Sequence, residues 1–353
     1  MKKRLIAVAA LSLVSGLAAA QSSVTIYGNV DVGLLTQNHA TGSKTQVYNG
    51  GIAPSIWGFR GTEDLGGGLK ASFNLEGHFA ADTGAMGGNS TTGASTLFRR
   101  QSNVGLSSAD WGTLTLGNQY SPAILAFAAT DPRGLRENFS GLYSWAYNSG
   151  VLTAGGNQNN DVGVFVQNAV SYSNKFGPVG IAGSYSVAEN QGAVYALGAT
   201  YSGPVALSAA YQSTNKPNTS DRLSSIYTIG GAYTMGNFTG KLNYLRGVNK
   251  NALTLADSSK VDVIGAGVDW KMATNNTLGA AVYFAKDKMG VDDKTTTLIL
   301  SDEYALSKRT TLYATLAFAD AKAGATLMTS VVAGGTLQNA TTTLLNVGIK
   351  HSF

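Results

Sequence analysis

Apolar and polar residues alternate one by one along most of this chain. In "SVTIYGNVDVGLLT", Val24, Ile26, Val30, Val32 and Leu34 share one parity, while Thr25, Tyr27, Asn29 and Asp31 share the other. In "LKASFNLEGHF" the apolar set Leu69, Ala71, Phe73, Leu75 and Phe79 stands opposite Lys70, Ser72, Asn74, Glu76 and His78. A period of two predicts β-strands with one apolar and one polar face. An acid, a base and an imidazole on one face exclude that face from a dry core.

The pattern recurs in segments 22–36, 52–63, 68–79, 96–108, 112–120, 162–175, 178–188, 192–202, 204–214, 223–235, 238–248, 258–271, 276–287, 294–306, 310–320 and 341–353. The total is about sixteen, an even number within the range of closed membrane barrels, and each segment is near the ~9–11 residues of a tilted spanning strand. Tight turns such as "EDLGGG", "KFGP", "SGP" and "MGN" alternate with longer loops at 80–95, 214–222, 248–258 and 321–340. Short turns on one rim and long loops on the other orient such a barrel, the short rim being periplasmic. Tyr201, Tyr211, Tyr233, Tyr244, Trp270 and Tyr304 lie near strand ends on the apolar parity, as an interfacial girdle requires. These features together predict an all-β fold: a 16-stranded antiparallel transmembrane barrel.

Composition sharpens the picture. Gly is 44 of 353 residues, and charged residues are 13% where about 25% is usual. "MKKRLIAVAALSLVSGLAAAQ" reads as a secretory signal peptide over 1–20, with a basic start, an apolar run too short to span a membrane and an A-x-A end. Its removal leaves 22 basic against 20 acidic side chains, a balance of +2. So small an excess argues against nucleic acid as a partner. Cys is absent, which excludes disulfides and thiol chemistry. The remainder, 21–353, reads as one domain.

One connection, from Gln119 to about Asn160, far exceeds the ~12–15 residues beyond which a loop is usually functional or disordered. "SPAILAFAA" with Pro122 near its start predicts a short helix. Asp131, Arg133, Arg136 and Glu137 follow, with Phe127, Phe139, Tyr143, Trp145 and Tyr147 around them. That aromatic content predicts a packed loop, and the barrel interior is the nearest wall.

The blocks "SSVTIYGNVDVGL", "WGFRGTEDLGGGLKASFNLE", "FRRQSNVGLSSADWGTLTLGNQY", "ALSKRTTLY" and the terminal "GIKHSF" resemble those of Gram-negative general diffusion porins of the betaproteobacterial and neisserial type. The resemblance implies a trimeric outer-membrane barrel that passes small hydrophilic solutes and ions, with no cofactor. It implies outer-membrane lipid and lipopolysaccharide as surroundings, and the barrel assembly machinery as the reader of a terminal aromatic, here Phe353. It further implies that the third extracellular loop, 120–160 here, enters the lumen and sets acidic groups against basic residues on the wall. "RENFSGL" stands where relatives often carry a Pro-Glu-Phe-Gly-Gly-type run, and Asn118 replaces a usual basic residue.

Parity turns Arg60 and Arg99 inward, with Arg100 replacing Arg99 if the strand slips by one. Lys70, Lys241 and Lys350 share that orientation, the last two reading better as rim charges. Wall bases Arg60, Arg99 or Arg100, and Lys70 are thus expected to face loop acids Asp131 and Glu137. Asp31, Glu76 and Glu303 are expected as acids of the lumen wall. Gly265 and Gly267, too small to fill space, favour water inside. A weak anion preference follows from Arg60 and Arg99. Catalysis is not expected: His78 faces inward, His351 lies on the lipid parity, His39 falls in a polar connection, and a lipid-cleaving Ser–His pair would have to face lipid.

Overall fold

The computed structural model describes residues 23–39, 42–87, 96–149, 163–187 and 192–353. The segment expected to be a signal peptide, part of the 80–95 loop and residues 150–160 of the long loop lie outside them. Seventeen strands make one antiparallel sheet that closes on itself. They are β1 Ser23–His39, β2 Gly42–Asn49, β3 Ile56–Gly66, β4 Leu69–His78, β5 Gln101–Ser108, β6 Gly112–Tyr120, β7 Phe165–Phe176, β8 Val179–Ser186 and β9 Val194–Ser202. They continue as β10 Val205–Asn215, β11 Arg222–Met235, β12 Phe238–Lys250, β13 Asp257–Ala273, β14 Asn276–Asp287, β15 Lys294–Ala305, β16 Thr310–Ala321 and β17 Ala340–Ser352.

The barrel has 16 staves, because β2 and β3 are two halves of one. Both pair with the same edge of β1, β2 through Val32–His39 and β3 through Ser23–Asn29. The break between them is held by Asp31. Its carboxylate accepts bonds from the backbone N–H of Gly51 (3.1 Å), Ile52 (3.0 Å) and Ala53 (2.8 Å) and from the Tyr313 hydroxyl (2.6 Å). Asp31 is 0% exposed, so the expected lumen acid is a buried strut under an inturned piece of chain. Gly51 is needed there, since a Cβ would lie 2.1 Å from the Tyr313 oxygen. Periodicity could not find β2 because "GSKTQVYN" is polar on both parities. For the same reason His39 closes β1 rather than a loop.

Closure joins β1 to β17, with Asn29 opposite Ser352 and Asn38 opposite Thr343. Phe353 extends the ladder through paired backbone bonds with Gly28, 3.0 and 3.3 Å long. In hydrocarbon each unpaired backbone group costs several kcal/mol, so this seam decides whether the barrel can exist in a membrane. Val24, Ile26, Leu34, Leu242, Ile264, Phe284 and Leu298 are all exposed on the outer face. Tyr201, Tyr233, Trp270 and Tyr304 stand exposed at the short-turn rim, with the Trp270 and Phe238 rings stacked at 5.7 Å. The inner parity carries buried polar groups such as Asn243, Thr315 and Asn346.

A Cβ on Gly28 would lie 2.6 Å from the Phe353 ring and 2.3 Å from the Ile56 carbonyl oxygen. Gly28→Leu is therefore expected to reduce the heat-modifiable, folded fraction on semi-native gels severalfold. Gly240→Ala, where a Cβ meets nothing within 4 Å, should leave that fraction unchanged.

Candidate functional site

The inner wall over β1, β3, β4 and β6 carries a linked polar array. Arg60 lies in register with Thr25 and Asn74 on the inner face, with its guanidinium 4.8 Å over the Tyr27 ring. The Tyr27 hydroxyl lies 2.7 Å from Asn74 Oδ1 and 2.9 Å from Glu76 Oε2, and donates to them. Glu76 Oε1 accepts from Arg100 Nε at 2.7 Å. Arg100 also donates to the Tyr120 hydroxyl and stacks 4.9 Å over the Phe165 ring. Planar guanidinium against ring faces and a carboxylate is a rigid way to hold charge. Arg60 is exposed, so the lumen beside it is open to water.

The long loop crosses the lumen and lies along the opposite wall. Helix α1 (Pro122–Ala128) begins at Ser121, whose hydroxyl accepts from Ala123 N–H at 3.2 Å, and α2 (Gly141–Asn148) is buried along its whole length. Inward glycines on β9 and β11–β14 make the bed for the loop. A Cβ on Gly198 would meet the Pro122 carbonyl at 2.3 Å, on Gly230 the Thr130 hydroxyl at 2.2 Å, and on Gly247 the Asn148 side chain at 2.5 Å. Gly265 and Gly267 would strike Pro132 at 3.0 and 2.9 Å, and Gly279 would strike Arg133 at 2.8 Å. At close approaches of this kind a larger residue fits only by displacing the loop atoms over it, which at Gly198 are backbone.

Polar anchors fix the loop on that bed. Asp131, 0% exposed, accepts from Leu135 N–H (2.9 Å), Gly141 N–H (3.1 Å) and the Tyr283 hydroxyl (2.9 Å). Burial pushes its carboxyl pKa up, although the three donors oppose the shift. Arg133 donates to the Ser301 hydroxyl at 2.6 Å. Arg136 makes a two-pronged bond to Glu303, both distances 2.8 Å. Burial would lower the Arg136 pKa, but the bonded Glu303 carboxylate more than offsets it and the net direction is upward. With Arg136 41% exposed, solvent screening leaves this pair a contribution of about 1 kcal/mol. A second inturned connection locks the return of the loop, through Ser140 N–H to Val331 O (3.2 Å) and Ala333 N–H to Asn138 O (2.9 Å).

Between loop and array lies a cavity of about 120 Å³ lined by Arg100 and Tyr120 from the wall side, Leu135 and Glu137 from the loop, Pro54 from the inturned break, and the apolar Ile124, Leu125, Leu142 and Val164. A wall cation and a loop carboxylate thus border one narrow space. Sequence comparison places the chain in a family: a Gram-negative porin model matches residues 7–324. The chain belongs to the Gram-negative porins. It is 33% identical to outer membrane porin protein 32 of Delftia acidovorans over the full length of both, and 28% identical to a Bordetella pertussis outer membrane porin over the full length of both. Its fold superposes on an anion-selective porin from Comamonas acidovorans with a TM-score of 0.78, covering 94% of this chain and all of the other at 26% identity. It is an outer-membrane porin, a channel for passive diffusion built on a closed 16-stranded barrel.

Several site residues of this porin stand elsewhere than the sequence suggested. Arg99 and Arg100 both precede β5 and both are buried, so strand parity does not apply to either. Arg100 meets Glu76, whereas Arg99 packs beside His78 and the Gly87 backbone. Lys70 adjoins the 66–68 turn, opposite Asp64. Six residues below Glu76, it lies about 20 Å away along the strand, at the periplasmic rim rather than the narrow zone. Asp131 feels the charge of Lys241 on β12 rather than of Arg60 or Lys70, and its oxygens are consumed in holding the loop. Arg133 and Arg136 invert the expected polarity on this side, since the loop brings the cations and the wall brings Glu303. Gly265 and Gly267 admit Pro132 rather than water. The signal for the bed was present in the sequence as inward-parity glycines on five strands, but its meaning required knowing what lay over them.

Gly267→Leu should push Pro132 off the wall and move Leu135 and Glu137 toward Arg100. Single-channel conductance in a planar bilayer is expected to fall by a large fraction, while Gly240→Ala leaves it unchanged.

Proposed function

We propose that this porin is a homotrimer of weakly anion-preferring pores whose narrow zone is bounded by Arg60 and Arg100 on the wall and Leu135–Glu137 on the loop. The observation that carries this reading is the water-exposed Arg60 over Tyr27 beside the Glu76–Arg100 pair. Glu76 neutralises Arg100 in part, and Arg60 has no acid in ion-pair range among the described residues. A net positive wall in a confined path raises local anion concentration. The solved relative with a TM-score of 0.78 is described as anion-selective, which supports the same sign.

Residues 1–20 act as a signal peptide, 21–353 as a single barrel domain, and 120–160 as the constriction loop. Trimer contacts are supported by an outer sector on β17, β1 and β2, where Thr341, Thr343, Asn38, Ser43 and Thr45 leave the long-loop rim free of charge. Lipopolysaccharide and outer-membrane lipid surround the other sectors. The assembly machinery reads the terminal strand ending in Phe353. Membership of the porin family supports a channel rather than an enzyme, and His78 stands against Asn49 Nδ2 at 3.4 Å.

Replacing Arg60 or Arg100 with Gln is expected to move the reversal potential under a KCl gradient toward the cation value. An unchanged potential in both variants would place the narrow zone elsewhere. Deleting Phe353 should lower the amount of porin recovered in the outer membrane several-fold and leave the conductance of the inserted fraction near normal. Normal recovery would count against recognition of the terminal aromatic.

A further inference from the structure

At the long-loop rim, the outer face of β11–β15 carries one continuous row of polar side chains. Strand register places Tyr227 opposite Arg246, Arg246 opposite Asp262, Asp262 opposite Lys286, and Lys286 opposite Lys294. Lys322 joins the end of the row, its backbone N–H donating to the Lys294 carbonyl at 3.0 Å. All of these positions share the outer parity. Two residues lower on the same strands and the same face stand Ile229, Ile264 and Phe284, and Leu298 lies four below Lys294, all exposed. The row therefore opens sideways onto the membrane, directly above the lipid-facing belt, rather than into the lumen.

Asp262 organises the row without neutralising it. Its carboxylate accepts from the Arg246 guanidinium (Nη2 at 2.7 Å) and the Tyr244 hydroxyl (2.8 Å), and pairs with Lys288 Nζ at 2.6 Å. One acid thus gathers two cations. Lys322 leans on Asp320 at 2.8 Å and Lys294 on Asp292 at 3.9 Å, whereas Lys286 has no ion pair among the described residues. The corresponding outer positions on β17, β1 and β2 carry Thr, Asn and Ser. Among the described residues, the outer-parity cations of the long-loop rim are thus grouped in one sector of a barrel whose mature chain is nearly neutral.

We propose that this row binds the phosphate-bearing headgroup of an outer-leaflet glycolipid, with its acyl chains lying on Ile229, Ile264 and Phe284. A multivalent anion held at headgroup height over apolar chains matches both halves of the surface, and juxtamembrane Lys and Arg attract such headgroups strongly. A free anion in water has no reason to choose this face over the lumen. The inference deepens the lipid contact proposed above by giving it a place.

The test uses the folded, full-length porin in detergent, with diphosphorylated lipid A added and adducts counted by native mass spectrometry. The triple variant Lys286→Gln, Lys288→Gln, Lys294→Gln is expected to bind lipid A at least about tenfold more weakly. Lys→Arg at the same three positions should bind as the parent does. Lipid A stripped of its phosphates should bind the parent as weakly as lipid A binds the Gln variant, and millimolar inorganic phosphate should not displace lipid A. Equal binding by parent and Gln variant, equal binding of the dephosphorylated lipid, or displacement by inorganic phosphate would each overturn the assignment. Absence of lipid A binding by the parent would overturn the lipid contact altogether. Single-channel conductance, expected to be unchanged in both variants, certifies folding and keeps the channel function separate from these outcomes.

Discussion

The interaction on which this molecule rests is the backbone ladder between its first and last strands. Hydrocarbon offers no partner for an N–H or C=O group, so a sheet in a membrane must have no edge. β17 supplies the missing partner for β1, and the bonds between Phe353 and Gly28 carry pairing to the final residue. Once the sheet is closed, every strand has one face in lipid and one in the lumen. The alternation of the chain then sorts residues by solvent: Val24, Ile26 and Leu34 go outward, and Tyr27, Arg60 and Glu76 inward.

Closure creates a lumen, and the lumen is narrowed around an apolar cluster that joins Ile124, Phe127 and Trp145 of the loop to inward Ile226, Leu245 and Ile299 of the wall. The chain does this by leaving β6 and laying a loop across the inside. The loop is held by shape and by charge together. Glycines on β9 and β11–β14 let it approach the wall backbone, and Asp131, Arg133 and Arg136 tie it to Tyr283, Ser301 and Glu303. The same logic operates at Asp31, where a carboxylate collects the N–H groups of an inturned segment that would otherwise break the ladder with no compensation. Buried Asp31 and Asp131 are fasteners for irregular backbone, and the exposed Arg60 stands beside the Glu76–Arg100 pair at the opening.

Outside the lumen the division is between sectors rather than faces. Aromatics mark the short-turn rim, and the cationic row anchored on Asp262 marks one arc of the long-loop rim. A barrel is symmetric in its hydrogen bonding, so such asymmetry resides entirely in side chains. It separates an arc of clustered cations from an arc of Thr, Asn and Ser.

The strand count of the barrel, its lipid face and the long inturned loop were legible in the chain, because a period of two and the lengths of connections are local properties. Parity also pointed to Arg60, Glu76 and Glu303 as inward. The folded barrel was needed to show that Arg100 rather than Arg99 joins Glu76, because both lie off the strand where parity has no hold. Only it decided that Asp31 and Asp131 are buried fasteners, since the groups they bind, Gly51–Ala53, Tyr313 and Tyr283, come from distant strands or from a break that alternation does not record. The terminal Phe353 belongs to both accounts. Its apolar parity was legible in the chain, but the partner that ties it down, Gly28, lies at the other end and meets it only when the sheet closes.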